Sequence, residues 1–381
     1  MIHYGKHNVN EDDVAAVCDV LRNENLTQDH KGIEFEAALC QYTGARYCIT
    51  VNSATSALHI ACLALGIGEN DTVWTSPNSF VASANCALYS GARVDFVDIH
   101  PISRNIDINA LNTKLAEAKR SDQLPKAIIV VHFAGNSCEM KELQQLLQPL
   151  DIALIEDASH ALGGTYLDKP VGNCEFSNFC VFSFHPVKSM TTGEGGALMV
   201  NCPDLAKNAR LYAKHGITRT VSDYDYFTGQ PWEYEQQVLG FNYRLSDIQS
   251  ALGISQLNRL DSFIAKRRAL VARYNQLLAD LPLKLPVDNP QTESAWHLYV
   301  VELRNHEQRA VYDYMLSKGV QLNVHYIPIH LQPHYRRLGF SPGDFPVAEK
   351  YYKMALTLPL YPDLTESQQD FVVATLKEAL D

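Results

Sequence analysis

The stretch FSFHPVKSMTTGEGGALMVN, residues Phe182–Asn201, places one lysine between two apolar runs. Apolar runs without polar alternation are typical of strands that are covered on both faces, as in a parallel sheet flanked by helices. Lys188 therefore follows a buried strand, and three glycines stand in the four positions 193–196. Burial lowers the pKa of an amine, and a neutral amine can attack a carbonyl to form a Schiff base. The alternative is a solvated lysine in an ordinary surface turn.

Apolar runs of the same kind recur between residues 47 and 201 and alternate with helical patterns. This alternation predicts an α/β domain built on a mostly parallel sheet of seven strands. The runs are YCITVNS (47–53), TVWTSP (72–77), VDFVDI (94–99), AIIVVHF (127–133), IALIEDAS (152–159), FCVFSF (179–184) and GALMVN (196–201). Asn10 is expected to cap the first helix, and one long helical pattern runs from Ser246 to Ala279.

A proline-rich polar segment, residues 281–294, marks the start of a second, smaller α/β domain. We place the boundary so that residues 1–260 form the large domain and residues 261–381 the small one. The small domain is expected to contain strands within Trp296–Leu303 and Val320–Tyr326, a helix near Glu307–Ser317, and a final helix capped by Thr365.

Charge and cysteine content narrow the class of protein. The formal net charge of the 381 residues is −11, which argues against a general nucleic-acid binder because phosphates require basic surface. The nine cysteines form no CxxC pair and no cluster with histidine, so we expect free thiols in a reducing, cytoplasmic compartment and no metal site. The longest apolar run, AIIVV, is too short to span a bilayer, and the first residues lack the pattern of a signal peptide.

A carboxylate and a histidine stand together in IALIEDASHALGG, residues 152–164. Ligands of α/β sheets bind at the carboxyl ends of the strands, so Asp157 is placed to pair with a cationic ring nitrogen. His160 follows three residues later and is placed to face the same crevice. The alternatives are a helix-capping Asp157 and a packed His160. A metal site is not indicated, because the sequence suggests no third ligand.

Small hydroxyl residues separate a strand from an apolar helix in VNSATSALHIACLALG, residues 51–66. Such a helix start offers free N–H groups to a phosphate, with Thr55 and Ser56 as extra donors, whereas simple N-capping is the alternative. Phe80, in TSPNSFVASAN, is placed either to stack on a flat ring or to pack in the core. A lysine nucleophile, an acid for a pyridinium nitrogen and a phosphate cradle are together what pyridoxal 5'-phosphate (PLP) requires.

The motifs NSATSALH, SFVASAN, EDASHALG, SFHPVKSMTTGEGG and GFNYRLSDIQSALG follow one another along the chain. In this order they resemble the PLP-dependent nucleotide-sugar aminotransferases of the DegT/DnrJ family. The resemblance implies PLP fold type I, the aspartate-aminotransferase-like fold. It also implies that Lys188 is the Schiff-base lysine, that Asp157 keeps the pyridine nitrogen protonated, and that His160 lies near the phenolic oxygen of the ring.

Further positions follow from the same family resemblance. Ala54, Thr55 and Ser183 are expected to hold the phosphate or the neighbouring substrate. Asn242, in GFNYR, is expected to reach the cofactor phosphate from the partner subunit, which implies a homodimer with composite sites.

Within the family, the start YGKHNVNEDD, the segment NLTQ, His160 and the segment HYIP resemble the transaminases of pseudaminic acid biosynthesis. These transaminases form UDP-4-amino-4,6-dideoxy-N-acetyl-β-L-altrosamine, so the resemblance implies a UDP-sugar substrate and L-glutamate as amino donor. The substrate-site residues that it implies are Tyr4, Glu24, Asn25, Leu26, Thr27, His325, Tyr326, Ile327 and Pro328.

Three alternatives stay open at this point. Ser189 and Met190 stand where those relatives carry Pro-Ile, so the substrate can instead be a UDP-4-keto-pentose or a dTDP-4-keto-6-deoxyhexose. A PLP dehydratase on the same fold is a second alternative, although such relatives carry histidine in place of Lys188. A non-catalytic sensor or scaffold is the third, and the intact set of Lys188, Asp157 and Thr55 argues against it.

Overall fold

The computed structural model describes residues 1–381. The α-helices are α1 (Glu11–Asn23), α2 (His30–Thr43), α3 (Ala54–Ala64), α4 (Ala82–Tyr89), α5 (Ile108–Arg120), α6 (Met140–Leu147), α7 (Pro203–Ala213), α8 (Asp247–Leu257), α9 (Leu260–Leu277), α10 (Gln308–Ser317), α11 (Pro333–Arg336), α12 (Pro346–Tyr352) and α13 (Glu366–Leu380). The strands are β1 (Tyr47–Val51), β2 (Thr72–Thr75), β3 (Arg93–Phe96), β4 (Ala127–Val131), β5 (Ala153–Asp157), β6 (Thr165–Tyr166), β7 (Lys169–Pro170), β8 (Phe179–Ser183), β9 (Gly196–Val200), β10 (Ile217–Thr218), β11 (Glu235–Gln236), β12 (Leu283–Lys284), β13 (Thr292–Glu293), β14 (Tyr299–Leu303) and β15 (Ala355–Leu358).

The central sheet confirms the seven predicted strands. Its order is β1-β9-β8-β5-β4-β2-β3. All pairings are parallel except those of β9, which runs antiparallel to both of its neighbours. Every residue of β4, β8 and β9 is buried, because apolar clusters lie on both faces of the sheet and leave neither face to water.

One edge of this sheet collects the strand ends that carry polar residues. Strand β5 ends at Asp157, β8 ends at Ser183, and β1 ends at Val51 just before α3. Because β9 is antiparallel, its first residue, Gly196, pairs with both Ser183 and Val51 at this same edge. The turn that carries Lys188 therefore joins β8 to β9 at this edge, beside the start of α3.

A second sheet, of order β12-β14-β15, lies in the C-terminal region, and its pairings are antiparallel. The predicted strand within 296–303 and the predicted helix within 307–317 are confirmed as β14 and α10. The predicted caps are also confirmed, since Asn10 caps α1 and Thr365 caps α13, each in a capping box. None of the helices has both the length and the apolar character needed to cross a bilayer.

Two predicted elements in the C-terminal part of the chain are wrong. Residues 320–326 form no strand but only single bridges, from Val320 to Ile2 and from Asn323 to Thr357. Regular pairing stops there because the chain bends so that His325 and Tyr326 line the main cavity. The long helical pattern from Ser246 is also interrupted after α8, and the Arg259 side chain turns back to donate to Asn8.

Helix α9 contributes to two apolar clusters. Leu260 and Ile264, near its start, pack with the helices over the central sheet. Leu270 and Tyr274, farther along, pack with the second sheet through residues such as Tyr299. The division of the chain at residue 260 stays a prediction, and α9 is the element that links the two cores.

Candidate active site

The polar edge of the central sheet opens into a cavity of about 560 Å³. Ten of the residues predicted from the sequence line it, although they come from distant parts of the chain. These residues are Tyr4, Ala54, Thr55, Phe80, Asp157, His160, Ser183, Lys188, His325 and Tyr326.

The remaining predicted residues lie outside this cavity within the single chain. Leu26 accepts a backbone hydrogen bond from Asp247, and Glu24 forms an ion pair with Lys31. Ile327 is exposed. The other residues outside the cavity lining are Asn25, Thr27, Asn242 and Pro328.

Lys188 stands in the turn between β8 and β9 and is partly buried. Burial lowers the pKa of its amine to about 8, and the negative charge of Asp157 opposes this effect. A neutral amine is therefore available near neutral pH, as nucleophilic chemistry requires. The alternative of a solvated surface lysine does not fit this position.

Asp157 ends β5 inside the cavity and is only 6% exposed. Its carboxylate accepts hydroxyl hydrogen bonds from Ser83 and Ser159, both at 2.6 Å. It does not cap a helix, because β5 is followed by a turn rather than by a helix start. The carboxylate therefore lines the cavity and is not used to cap a helix.

His160 is buried between polar partners that determine its tautomer. The backbone N–H of Ala134 donates to Nδ1 at 3.3 Å, so in the neutral ring Nε2 carries the proton. Nε2 lies 3.0 Å from the Tyr326 hydroxyl oxygen and donates to it. Burial, with the positive charges of Lys188 and His325, lowers the pKa of His160 well below its usual range. Tyr326 consequently keeps its own O–H free to donate into the cavity.

The start of α3 supplies donors for an anion. Ser53 caps the helix by accepting from the Ser56 N–H at 3.1 Å, which leaves the first N–H groups of the helix to other acceptors. Ala54 and Thr55 line the cavity at this point. Gly196 lies so close that a Cβ added to it would stand 2.5 Å from the Ala54 nitrogen. This glycine therefore allows a strand to pass directly beside the helix start.

Phe80 is 60% exposed and lines the cavity, so it is not the packed core residue that was the alternative.

Three further residues of the site were missed by the sequence reasoning. Ser159 follows Asp157 by two residues, and short-range hydroxyl contacts of this kind are a usable signal. Ser83 gives no such signal, because it lies 74 residues from its partner. His297 packs against His160 with ring centroids 4.5 Å apart and the ring planes tilted by 42°, a contact that only the tertiary fold creates.

The chain that forms this site is similar to known proteins over almost its whole length. Residues 7–377 match the model of the DegT/DnrJ/EryC1/StrS aminotransferase family. The chain belongs to this family. A relative from Campylobacter jejuni subsp. jejuni serotype O:23/36 (strain 81-176), a UDP-4-amino-4,6-dideoxy-N-acetyl-β-L-altrosamine transaminase, is 37% identical over 390 residues, covering 100% of this chain and 98% of the relative.

Solved structures of this DegT-type fold agree with the family assignment. PseC of Helicobacter pylori, an aminotransferase involved in the biosynthesis of pseudoaminic acid, superimposes with a TM-score of 0.90 and 30% identity, over 100% of this chain and 99% of its own. The PLP form of Spr1654 of Streptococcus pneumoniae gives a TM-score of 0.90 and 27% identity, over 99% and 98%. The predicted fold, PLP fold type I, is confirmed.

PLP is the cofactor of this aminotransferase family, and the residues of the cavity fit it. The Lys188 amine matches its aldehyde, the Asp157 carboxylate matches its ring nitrogen, and the start of α3 matches its phosphate. Phe80 offers an exposed aromatic face beside these groups. The chain is therefore a PLP-dependent aminotransferase of the DegT/DnrJ/EryC1/StrS family.

Proposed function

We propose that this aminotransferase moves an amino group from L-glutamate to carbon 4 of a UDP-linked 4-keto-6-deoxy-N-acetylhexosamine. The product is UDP-4-amino-4,6-dideoxy-N-acetyl-β-L-altrosamine, in pseudaminic acid biosynthesis. The observation that carries the proposal is that Tyr4, His160, His325 and Tyr326, which resemble this branch of the family in sequence, converge on the cavity of Lys188. The full-length similarity to the Campylobacter jejuni transaminase supports it.

The residues of the cavity have separate roles in the reaction. PLP, when bound, supplies an electron sink that makes the donor's α-proton acidic. The Lys188 amine, with its pKa of about 8, takes that proton as general base and returns it as general acid. Asp157 holds the ring nitrogen in its protonated form. His160 and Tyr326 stay neutral, because burial lowers the pKa of the histidine and raises that of the phenol.

A panel of 4-keto nucleotide sugars, each incubated with PLP-loaded protein and glutamate, tests the substrate. We expect amination of the UDP-linked 4-keto-6-deoxy-N-acetylhexosamine, with the stereochemistry read by mass spectrometry and NMR. Lys188→Ala is the matched control and should give no product. The proposal is wrong if this sugar is inert while a UDP-4-keto-pentose or a dTDP-4-keto-6-deoxyhexose is aminated. A protein that forms no product with any sugar, and keeps its visible absorbance in glutamate, would point to the non-catalytic alternative.

We further propose a homodimer in which Asn242 acts in the site of the partner. Support comes from the segment before it, where Tyr226, Phe227, Trp232 and Leu239 are exposed and between 54% and 90% accessible. Large exposed apolar side chains grouped in this way are typical of a protein interface. The same arrangement accounts for Glu24, Asn25, Leu26 and Thr27, which lie outside the cavity of their own chain.

Subunit mixing tests the composite site directly. Lys188→Ala and Asn242→Ala homodimers should both be inactive or strongly impaired. In a mixed dimer both lesions fall in one site, so the other site is intact and activity returns. Recovery after co-refolding or co-expression supports the proposal. Activity that stays absent in a verified mixed dimer contradicts it, because Asn242 would then act in its own chain.

A further inference from the structure

Neutral donors hold the Asp157 carboxylate. Ser159 donates to Oδ1 through its hydroxyl at 2.6 Å and through its backbone N–H at 3.2 Å. Ser83 donates its hydroxyl to Oδ2 at 2.6 Å. A buried carboxylate needs such partners, and here none of the three neutralises its charge. The full negative charge therefore remains available to a cationic group that enters the cavity.

The hydroxyl of Ser83 is itself oriented. It has one proton, and that proton goes to Asp157, which as a carboxylate only accepts. Ser79, whose oxygen lies 2.7 Å from that of Ser83, must therefore be the donor in their pair. Ser79 lines the cavity, whereas Ser83 is fully buried. The two serines form a directed chain that ends on one oxygen of the carboxylate.

Counting acceptor positions shows which oxygen is left for a ligand. A carboxylate has about four, two on each oxygen. The two donors from Ser159 fill Oδ1, and Ser83 takes one position on Oδ2. We propose that Ser83 and Ser159 are positioning residues that leave one acceptor position, on Asp157 Oδ2, for the N–H of the PLP ring.

The same donors decide where the shared proton resides. They hold the carboxylate so that Oδ2 can accept from the ring N–H, and this contact favours the protonated ring nitrogen. Without them the carboxylate can turn away, which weakens the contact and with it the electron sink. The inference rests on the proposed role of Asp157 at the ring nitrogen and is independent of the sugar substrate.

Nitrogen NMR of protein loaded with PLP labelled with ¹⁵N in its ring reads this proton directly. In the wild-type protein at pH 7.5 we expect the resonance of a protonated pyridine. In the double variant Ser83→Ala/Ser159→Ala it should move toward the unprotonated position, and the Kd for PLP should rise about tenfold. Each single variant should give a smaller movement in the same direction, which keeps the test available if the double variant does not fold.

Three further variants separate the possible outcomes. Ser159→Thr keeps the hydroxyl and should restore the wild-type resonance. Ser137→Ala removes a buried hydroxyl that donates to the Cys138 carbonyl, away from the carboxylate, and should leave the resonance unchanged. Asp157→Asn should give the unprotonated reference. If Asp157→Asn moves the resonance and the serine variants do not, the serines are merely structural and the inference is overturned. If Asp157→Asn moves nothing, the role of Asp157 itself fails.

Discussion

Cofactor-free protein should capture PLP covalently at a rate that rises with pH to a midpoint near 8. Burial lowers the pKa of the Lys188 amine from 10.5 to about 8, and only the neutral amine attacks an aldehyde. At pH 7 a pKa of 8 leaves roughly 9% of the amine neutral, whereas a pKa of 10.5 leaves roughly 0.03%. At pH 7 this partly buried lysine should therefore react about 300-fold faster than the same lysine would with a pKa of 10.5.

Asp157 provides a second test of the same reasoning, in which the direction of the pKa shift is predicted. Its negative charge raises the pKa of Lys188 against the larger effect of burial. Replacing it in Asp157→Asn removes that opposition, so the midpoint of capture should move to lower pH.

Stopped-flow absorbance after mixing with saturating PLP, between pH 6 and 10, gives both profiles. A small amine in solution corrects for the titration of PLP itself, and Lys188→Ala should give no borohydride-stable adduct. A midpoint near 10.5, or a shift of Asp157→Asn to higher pH, would refute the reasoning, because it would mean that burial does not control this amine.

Substitutions at Lys188, Tyr326 and Gly196 test the site further. Lys188→Met should stabilise the cofactor-free protein at pH 7 by at most ~3 kcal/mol, measured by urea unfolding. The charged lysine destabilises the folded state because its pKa is about 8 there and 10.5 in the unfolded chain. The gain in stability should therefore fade as the pH rises from 8 to 10.5. Tyr326→Phe removes the hydroxyl to which His160 donates and should lower kcat/KM for the sugar about tenfold in steady-state assays, with PLP affinity nearly unchanged. Gly196→Ala should push the start of α3 away and raise the Kd for PLP more than tenfold in a fluorescence titration, whereas Gly32→Ala, with open space around it, should not.

The central sheet was predictable from the sequence because its strands are covered on both faces. Such strands leave unbroken apolar runs, and all seven runs became strands of one sheet. Their carboxyl ends share an edge in a parallel sheet, so Asp157 and the turn that carries Lys188 were expected to meet there. The one antiparallel strand, β9, does not disturb this expectation, because its first residue returns to the same edge.

Other parts of the structure depend on contacts that no local pattern records. Residues 320–326 alternate like a strand, yet they form only two single bridges, and His325 and Tyr326 line the cavity instead. Ser83 lies 74 residues from Asp157 along the chain, and His297, which precedes β14, contacts His160 just after β5 only through the tertiary fold. Residues expected from a partner subunit, such as Asn242, cannot meet the cavity within one chain.

Burial disfavours the charged forms of the basic groups in the site, whereas uncharged donors hold its carboxylate. Burial brings the pKa of Lys188 to about 8 and that of His325 to about 3, so near pH 8 the histidine is neutral and about half of the lysine is neutral. Asp157 is held instead by hydroxyl and N–H donors that carry no charge. A ring nitrogen that enters the cavity is then the group best able to pair with the carboxylate as a cation. A phosphate is favoured at the start of α3, so the helix start and the carboxylate attract different groups of a bound PLP.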